Sequence, residues 1–115
     1  MTPFGKYMRN LRLDTGKLLG DVADHLGVSS AYLSALEHGK KGSPTKEHLE
    51  GIRRFFGLTA TKVRELQHAV ENSKARITLP KDATPSAYET ANEFARKLST
   101  LSEEKLRRIR EVIDK

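Results

Sequence analysis

Apolar residues recur every three or four positions along the first 72 residues of the chain, which is the spacing of amphipathic α-helices. Glycines and hydroxyl side chains interrupt the pattern where helices are expected to begin and end. Five apolar faces result, formed by Phe4, Tyr7, Met8 and Leu11; by Leu19, Val22, Ala23 and Leu26; by Leu33 and Leu36; by Leu49, Ile52, Phe55 and Phe56; and by Val63, Leu66, Ala69 and Val70. The pattern therefore predicts an all-α fold.

Local residue types predict the ends of these helices. Thr2 and Pro3 form a start signal, because a hydroxyl side chain caps free N–H groups and proline suits the first helical position. Gly16 is expected to close the first helix. Pro44 and Thr45 are expected to open the fourth. The first two-thirds of the chain are thus predicted to form a bundle of five short helices.

The stretch KLLGDVADHLGVSSAYLSALEHG, residues 17–39, is the most informative part of the pattern. It predicts two short helices joined at Gly27, a residue that can take the left-handed conformation of a sharp turn. After the turn, Val28 is expected to point inward and Ser29 to cap the second helix. This is the pattern of a helix-turn-helix, whose second helix lies in the DNA major groove.

The pattern changes in the last third of the chain. Ile77 and Leu79 alternate with polar residues, which predicts a short extended segment over residues 75–79. After a linker, Ser86 and Ser102 are expected to cap two further helices. The apolar faces of these helices are formed by Tyr88, Ala91, Phe94, Ala95 and Leu98 and by Leu106, Ile109, Val112 and Ile113.

Three parts of the chain are therefore expected. They are a DNA-binding domain over residues 1–74, an extended segment and linker over 75–85, and a two-helix extension over 86–115. Two helices of this length have too little volume to bury their own apolar faces. We expect the extension to dimerise or to dock on another surface.

Composition and charge narrow the class of partner. The 115-residue chain has a net charge of +6, and residues 1–80 hold 13 of its 21 basic residues against 8 of its 15 acidic ones. This excess indicates an anionic partner, with nucleic acid as the first candidate. Because cysteine is absent, disulfides and thiolate metal sites are excluded and a cytoplasmic location is expected. No apolar run approaches the roughly 18 residues of a membrane span, so we expect no membrane association.

From Pro3 to about Leu79 the chain resembles the lambda-repressor/Cro-like helix-turn-helix family, the XRE family of bacterial and phage regulators. The resemblance is carried by the segment YLSALEHGKKGSP and by the small, turn and buried positions of the motif, which are Ala23, Gly27, Val28, Leu33 and Leu36. It implies a five-helix DNA-binding domain with a C-terminal helical extension. It also implies an ion pair between Arg12 and Glu37 that would hold helix 1 against the recognition helix.

The resemblance also assigns residues to a DNA interface. The base-facing positions would be Ser29, Ser30, Ala31, Tyr32, Ser34 and Ala35. None is the Arg, Gln or Asn that makes bidentate base contacts, and for Tyr32 packing against the preceding helix is an equal alternative. Phosphate contacts are expected from Arg9, Lys17, His38, Lys40, Lys41 and Thr45. Leu19 stands where the family has a phosphate-contacting polar residue, so that contact must come from elsewhere.

These features predict a repressor that binds an inverted-repeat operator in double-stranded DNA as a homodimer. One alternative is an antitoxin-type regulator whose C-terminal extension binds another protein, and a second is a helix-turn-helix kept only as a protein-binding scaffold. An enzyme is not expected, because no nucleophile or phosphate-loop motif occurs. The four histidines are not grouped with carboxylates at metal-ligand spacing, and His25 and His48 are expected to face solvent. We therefore expect no catalytic residue, cofactor or metal.

Overall fold

The computed structural model describes all 115 residues, and its regular secondary structure is entirely helical. Seven α-helices follow one another: α1 (Pro3–Thr15), α2 (Leu19–Leu26), α3 (Ser30–Glu37), α4 (Lys46–Phe56), α5 (Ala60–Glu71), α6 (Pro85–Lys97) and α7 (Glu103–Asp114). A single turn of 3-10 helix, Leu98–Thr100, lies between α6 and α7. The predicted all-α fold with a C-terminal helical extension is confirmed. No helix combines the length and apolar character that crossing a bilayer requires.

The chain divides into two compact units, Met1–Ile77 and Thr78–Lys115. The first unit contains α1 to α5 and one hydrophobic core. Nine apolar side chains are buried in it: Phe4, Met8, Leu11, Val22, Ala23, Leu33, Leu36, Ile52 and Leu66. All nine belong to the apolar faces that the sequence pattern predicts, because removing these stripes from water is the main favourable term in folding.

Helix α3 is held in this unit from two sides. It packs against α1 and α2, while α4 packs against α2 and α5 packs against α1. One side of α3 is therefore left facing outward. This outward side of α3 is exposed to solvent at Ser30 and Ala31.

Most helix ends of the first unit follow the predicted local chemistry. The side chains of Thr2, Ser29 and Thr45 each accept a hydrogen bond from the backbone N–H three residues on. Gly16 and Gly27 end α1 and α2 in the left-handed conformation, with φ of 68° and 71°. A sequence pattern can predict these hydrogen bonds because both partners lie within one helical turn of each other.

One expectation for the extension is wrong. Thr84, rather than Ser86, caps α6 by accepting from the Ala87 N–H at 3.1 Å, and Pro85 is the first helical residue. The ring of Pro85 presets a helical φ and lacks the N–H that would go unpaired there. Residues 75–79, where the sequence predicts a short extended segment, contain no helix and no paired strand, and Ile77 is exposed. A single short segment has no second strand to pair with.

The second unit, considered by itself, is an open pair of helices. None of the side chains of α6, the 3-10 turn or α7 is fully buried. A groove of about 870 Å³ runs along it, and its apolar lining is formed by Ala87, Ala91, Phe94, Leu101, Ile109, Val112 and Ile113. The apolar stripes of both helices are thus left largely in contact with solvent.

Candidate nucleic-acid interface

The outward side of α3 carries small side chains. Leu33, Leu36 and Glu37 occupy its buried side. Of the predicted base-facing residues, Ser29, Ser30 and Ala31 are exposed, while Tyr32, Ser34 and Ala35 are half-buried. The Ser29 hydroxyl accepts from the Tyr32 N–H at 3.0 Å, so its own hydrogen stays free to donate. Apart from Tyr32, a nucleic acid lying along this side would meet only short side chains that end in hydroxyl or methyl groups.

Tyr32 combines both of the roles considered from the sequence. It packs against the core cluster and remains half-exposed. Its ring stands edge-on to that of His48, with ring centroids 6.1 Å apart and an interplanar angle of 62°. His48 is half-buried, so the expectation that it faces solvent is wrong, because the Tyr32 ring covers one side of it. His25 does lie exposed, with its ring 5.2 Å from that of Phe55.

A basic segment connects α3 to α4. Lys40 and Lys41 are exposed and make no ion pair, and they lead to Thr45, which caps α4 by accepting from the His48 N–H at 3.0 Å. The N–H groups of Lys46 and Glu47, in the first turn of α4, have no acceptor. Free N–H groups and the positive end of the helix dipole together attract anions. The predicted phosphate contacts Lys40, Lys41 and Thr45 therefore follow one another along the segment that runs from the end of α3, where the Lys40 N–H donates to the Ala35 carbonyl at 2.8 Å, to the start of α4.

Of the remaining predicted phosphate contacts, His38 begins this connecting segment, whereas Lys17 and Arg9 lie elsewhere in the first unit. The Lys17 ammonium sits 5.9 Å from the centroid of the Phe55 ring, near the opposite end of α4, which is about 15 Å away at 1.5 Å per residue. Arg9 is exposed on α1 without an ion pair. Nδ1 of His38 lies 2.8 Å from the Ser34 carbonyl. Since a carbonyl only accepts, that nitrogen carries the hydrogen, and a neutral His38 then has only an acceptor left for solvent.

Basic side chains further along α4 are already paired. The Glu50 carboxylate accepts hydrogen bonds from Arg53 and Arg54. Hydrogen bonding from Arg53, strengthened by the charges of both arginines, lowers the pKa of Glu50 to about 2. The same contact raises the pKa of Arg53. The unpaired positive charge is thus found at Lys40 and Lys41 in the segment before α4 and at Lys46, the first residue of the helix.

Two contacts on Glu37 position α3. The Glu37 carboxylate accepts from the Arg12 guanidinium, with Nη1–Oε2 at 2.5 Å and Nη2–Oε1 at 3.1 Å. The Glu37 carbonyl oxygen accepts from the Thr2 hydroxyl at 2.8 Å and from the Thr2 N–H at 3.2 Å. The structure thereby brings together the pair that the resemblance implies. It adds the Thr2 contact, for which the sequence carries no long-range signal because a threonine before proline reads only as a local cap.

The start of α2 departs from the family pattern. Leu18 is the N-cap residue, has no side-chain acceptor and is 70% exposed. Its own N–H is taken by the Asp21 carboxylate at 3.1 Å. Leu19 is half-buried and packs on the core. This helix end therefore offers backbone N–H groups, and its first turn holds no basic side chain for a phosphate.

Nothing in the structure provides a metal site. No three or more His, Cys, Asp or Glu side chains lie close enough together to hold a metal ion. The His68 side chain instead contacts Asn72, one turn later on the same helix, at 3.0 Å. The chemistry that the first unit displays is a set of small hydroxyl and methyl groups beside unpaired lysines and free helix N–H groups.

Comparison with known proteins agrees with this geometry. A family model described as a helix-turn-helix domain matches residues 3–66, more than half of the chain. A protein named "Uncharacterized HTH-type transcriptional regulator RghRB", from Bacillus subtilis (strain 168), is 41% identical over 44 residues, which are 38% of this chain and 32% of that protein. The match thus spans about a third of the length of that curated relative. No solved structure matches the chain significantly. The chain belongs to the lambda-repressor/Cro-like (XRE) helix-turn-helix family of DNA-binding transcriptional regulators.

Proposed function

We propose that the protein is a repressor that binds an inverted-repeat operator as a homodimer, with α3 of each protomer in the major groove. The observation that carries the proposal is the outward face of α3 beside the unpaired Lys40 and Lys41. Recognition helices of dimeric regulators of this kind lie about one helical turn of DNA apart, roughly 34–36 Å. A protein held at an operator by two such helices blocks access of polymerase to the DNA beneath it.

Phosphate contacts at the start of α4 would set the orientation on DNA. The ammonium groups of Lys40 and Lys41 neutralise phosphates and release counterions. The free N–H groups of Lys46 and Glu47 can donate to a further phosphate, and so can the Thr45 hydroxyl. Such contacts fix the position of the protein on the duplex and carry no sequence information. They supply affinity and leave the choice of sequence to α3.

Sequence would be chosen by short side chains. The hydroxyls of Ser30 and Ser34 both donate and accept and therefore tolerate several bases, while the methyl groups of Ala31 and Ala35 favour contact with thymine methyl groups. Direct contacts of this type are weakly selective. A larger share of specificity then comes from the shape and flexibility of the operator and from the spacing of its half-sites.

The first experiment is selection of binding sites from a random duplex pool, followed by titrations over a range of salt concentrations. The double variant Lys40→Ala/Lys41→Ala should weaken binding to all sequences alike. It should also reduce the slope of log K against log[salt] by roughly 0.9 for each phosphate that is no longer neutralised. Lys105→Ala/Lys115→Ala removes the same charge from the second unit and is the matched control. A loss confined to the selected operator would contradict the phosphate role.

Single substitutions on α3 test the reading surface. Ser30→Ala and Ala31→Leu should change the order in which operator variants are bound, because both positions are exposed on the outward side. The salt dependence should stay at its wild-type value. Selection that returns the wild-type operator with either variant would show that these positions do not face the bases.

For the dimer, we propose that the groove of the second unit is covered by the same groove of a second copy. The unit spans residues 78–115, a size at which folded domains usually need oligomerisation or other stabilisation. The groove lining includes both Glu93 and Lys97, 3.5 Å apart. In a two-fold interface each patch meets itself, so a rim carrying one acid and one base is complementary to its own copy. Glu93 would then face the partner subunit's Lys97.

Charges placed in the groove test this arrangement. Val112 and Ile113 are 75% and 73% exposed and lie outside the buried core, so Val112→Glu/Ile113→Glu should leave the first unit folded and shift the sedimentation coefficient from dimer to monomer. Tyr88→Glu is the control, because Tyr88 is 47% exposed and lies outside the groove. An unchanged dimer would exclude the groove as the interface. If the wild-type protein is a monomer and its groove binds an unrelated protein, the antitoxin-type alternative is favoured.

A further inference from the structure

Tyr32 and His48 occupy equivalent positions in two successive helices. Each is the third residue of its helix, and each donates its backbone N–H to the hydroxyl of the capping residue, at 3.0 Å in both cases. In α4 the cap is reciprocal, since Nδ1 of His48 accepts from the Thr45 N–H at 3.4 Å. The two aromatic side chains therefore mark the N-termini of α3 and α4.

The contact between these two rings spans the N-termini directly. The centroid distance of 6.1 Å and the angle of 62° lie in the range of favourable edge-to-face pairs. By contrast, the backbones of α3 and α4 are connected through α2, against which both helices pack. The segment joining them in sequence, residues 38–45, has no regular secondary structure. The ring contact therefore joins the N-termini of α3 and α4 directly.

We infer that His48 is a specificity-determining positioning residue, which through its edge contact with Tyr32 sets the spacing between the base-reading end of α3 and the phosphate-binding end of α4. The inference rests on the proposed function. Phosphate contacts at α4 fix where the protein stands on the duplex. The spacing from α4 to α3 then decides which atoms of the base edges the α3 side chains meet.

The short side chains of α3 make this spacing matter. A long Arg or Gln can change rotamer to reach a base edge, whereas Ser30 and Ala31 cannot extend. Hydrogen bonds from a hydroxyl weaken steeply as distance and angle depart from the favoured range. A small displacement of α3 relative to the phosphate contacts therefore removes base contacts that nothing else on the helix replaces.

The principal variant is His48→Gln. Glutamine keeps a side-chain oxygen that can accept from the Thr45 N–H, but it has no ring. His25→Gln is the matched control, because His25 also contacts an aromatic ring, that of Phe55 at 5.2 Å, and takes no part in the contact between Tyr32 and His48. Affinities would be measured by fluorescence anisotropy for the selected operator and for a panel of its single-base-pair variants at fixed salt.

For His48→Gln we expect the ratio of operator affinity to variant affinity to fall about threefold to tenfold, the effect expected from removing an aromatic pair. The salt slope should stay at its wild-type value, and His25→Gln should keep wild-type ratios. Tyr32→Leu removes the other ring of the contact and should lower the same affinity ratio. It replaces His48→Gln in the experiment if that variant does not fold. The double variant should be no worse than either single one, since both remove the same interaction.

Three results would overturn the inference. One is unchanged ratios for His48→Gln, with or without uniformly weaker binding, which would mean that the ring contact does not affect discrimination between bases. Another is an equal loss of discrimination in His25→Gln. The third is a loss in Tyr32→Phe, which keeps the ring and would show that the hydroxyl itself reads DNA. Absence of salt-dependent DNA binding by the wild-type protein would instead overturn the proposed function, and this inference with it.

Discussion

The Arg12 guanidinium and the Glu37 carboxylate form a two-point ion pair that joins α1 to the last residue of α3. Glu37 is 2% exposed and Arg12 is 14% exposed, so both charges are largely removed from water. Removing one partner leaves a buried charge without compensation, whereas removing both avoids that penalty. The placement of α3 therefore depends on this ion pair, and losing one partner should cost more stability than losing both.

We predict that Arg12→Met destabilises the protein by about 3 kcal/mol, because the Glu37 charge would remain buried and unpaired. The double variant Arg12→Met/Glu37→Met should recover most of that loss. Urea unfolding followed by circular dichroism measures both. A double variant as unstable as the single one would show that the penalty does not come from the orphaned charge.

We predict that Gly5→Ala is strongly destabilising. A Cβ atom at Gly5 would collide with the backbone carbonyl of Glu37, which is held in place by Thr2 and cannot yield as a flexible side chain would. Gly20→Ala is the matched control, since its Cβ would find the Ser30 hydroxyl oxygen at an ordinary 3.7 Å. In a helix that change should stabilise by roughly 0.5–1 kcal/mol. Thermal unfolding should thus move in opposite directions for the two substitutions.

Tyr7 should make stability depend on pH in the alkaline range. Its hydroxyl lies 3.1 Å from the Lys62 carbonyl and 3.2 Å from the Glu65 carboxylate. Burial, aided by Glu65, raises the pKa of Tyr7 from 10.0 to about 12. A raised pKa means that folding favours the protonated form. The contribution is therefore fully present below pH 10 and is lost as the pH rises from 10 to about 12.

The measurement is the difference in unfolding free energy between the wild type and Tyr7→Phe. At pH 7 we expect Tyr7→Phe to be less stable by about 1 kcal/mol, the usual value of such a hydrogen bond. The difference should shrink between pH 10 and 12. In an absorbance titration of the three tyrosines, the most alkaline step should vanish in Tyr7→Phe. A difference that is constant with pH would contradict this account.

Ser73 should stabilise the closure of the first unit. Its hydroxyl accepts from the Phe4 N–H at 2.8 Å and donates to the Ala69 carbonyl at 2.6 Å, so it joins the start of α1 to the end of α5. Ser73→Ala leaves the Phe4 N–H without its partner, which should cost about 1–3 kcal/mol. Ser43→Ala, in the exposed segment before α4, should be close to neutral. Equal midpoints in urea for the two variants would count against this role.

The sequence predicted the helices of the first unit and nearly all of their ends, because those features depend on residues within one turn of each other. The nine buried side chains lie on predicted faces for the same reason. The cap of α6 was misassigned because Thr84 and Ser86 are both good caps, and only the placement of Pro85 at the first helical position decides between them. For the DNA interface, the sequence shows which residue types lie on α3 and in the segment before α4, and the roles assigned to these residues stay predictions.

Several relationships around the candidate site join residues far apart in the chain and could not be read from local spacing. Ser73 contacts Phe4 across 69 positions, and the Tyr7 hydroxyl meets α5 across more than 50. The edge contact of Tyr32 with His48 depends on how residues 38–45 return the chain from α3 to α4. Packing of separate helices, rather than any repeat in the sequence, determines such contacts.

By itself, the sequence determined that the chain is helical, where most helices begin and end, and which family its motif resembles, since amphipathic spacing and capping act over three or four residues. Only the tertiary structure decided which of these apolar faces find partners. The first unit closes its core and holds α3 by Glu37, whereas no side chain of α6 or α7 is fully buried. The physical reason is that burial depends on the volume and surface that other helices bring to a face, which no single helix encodes.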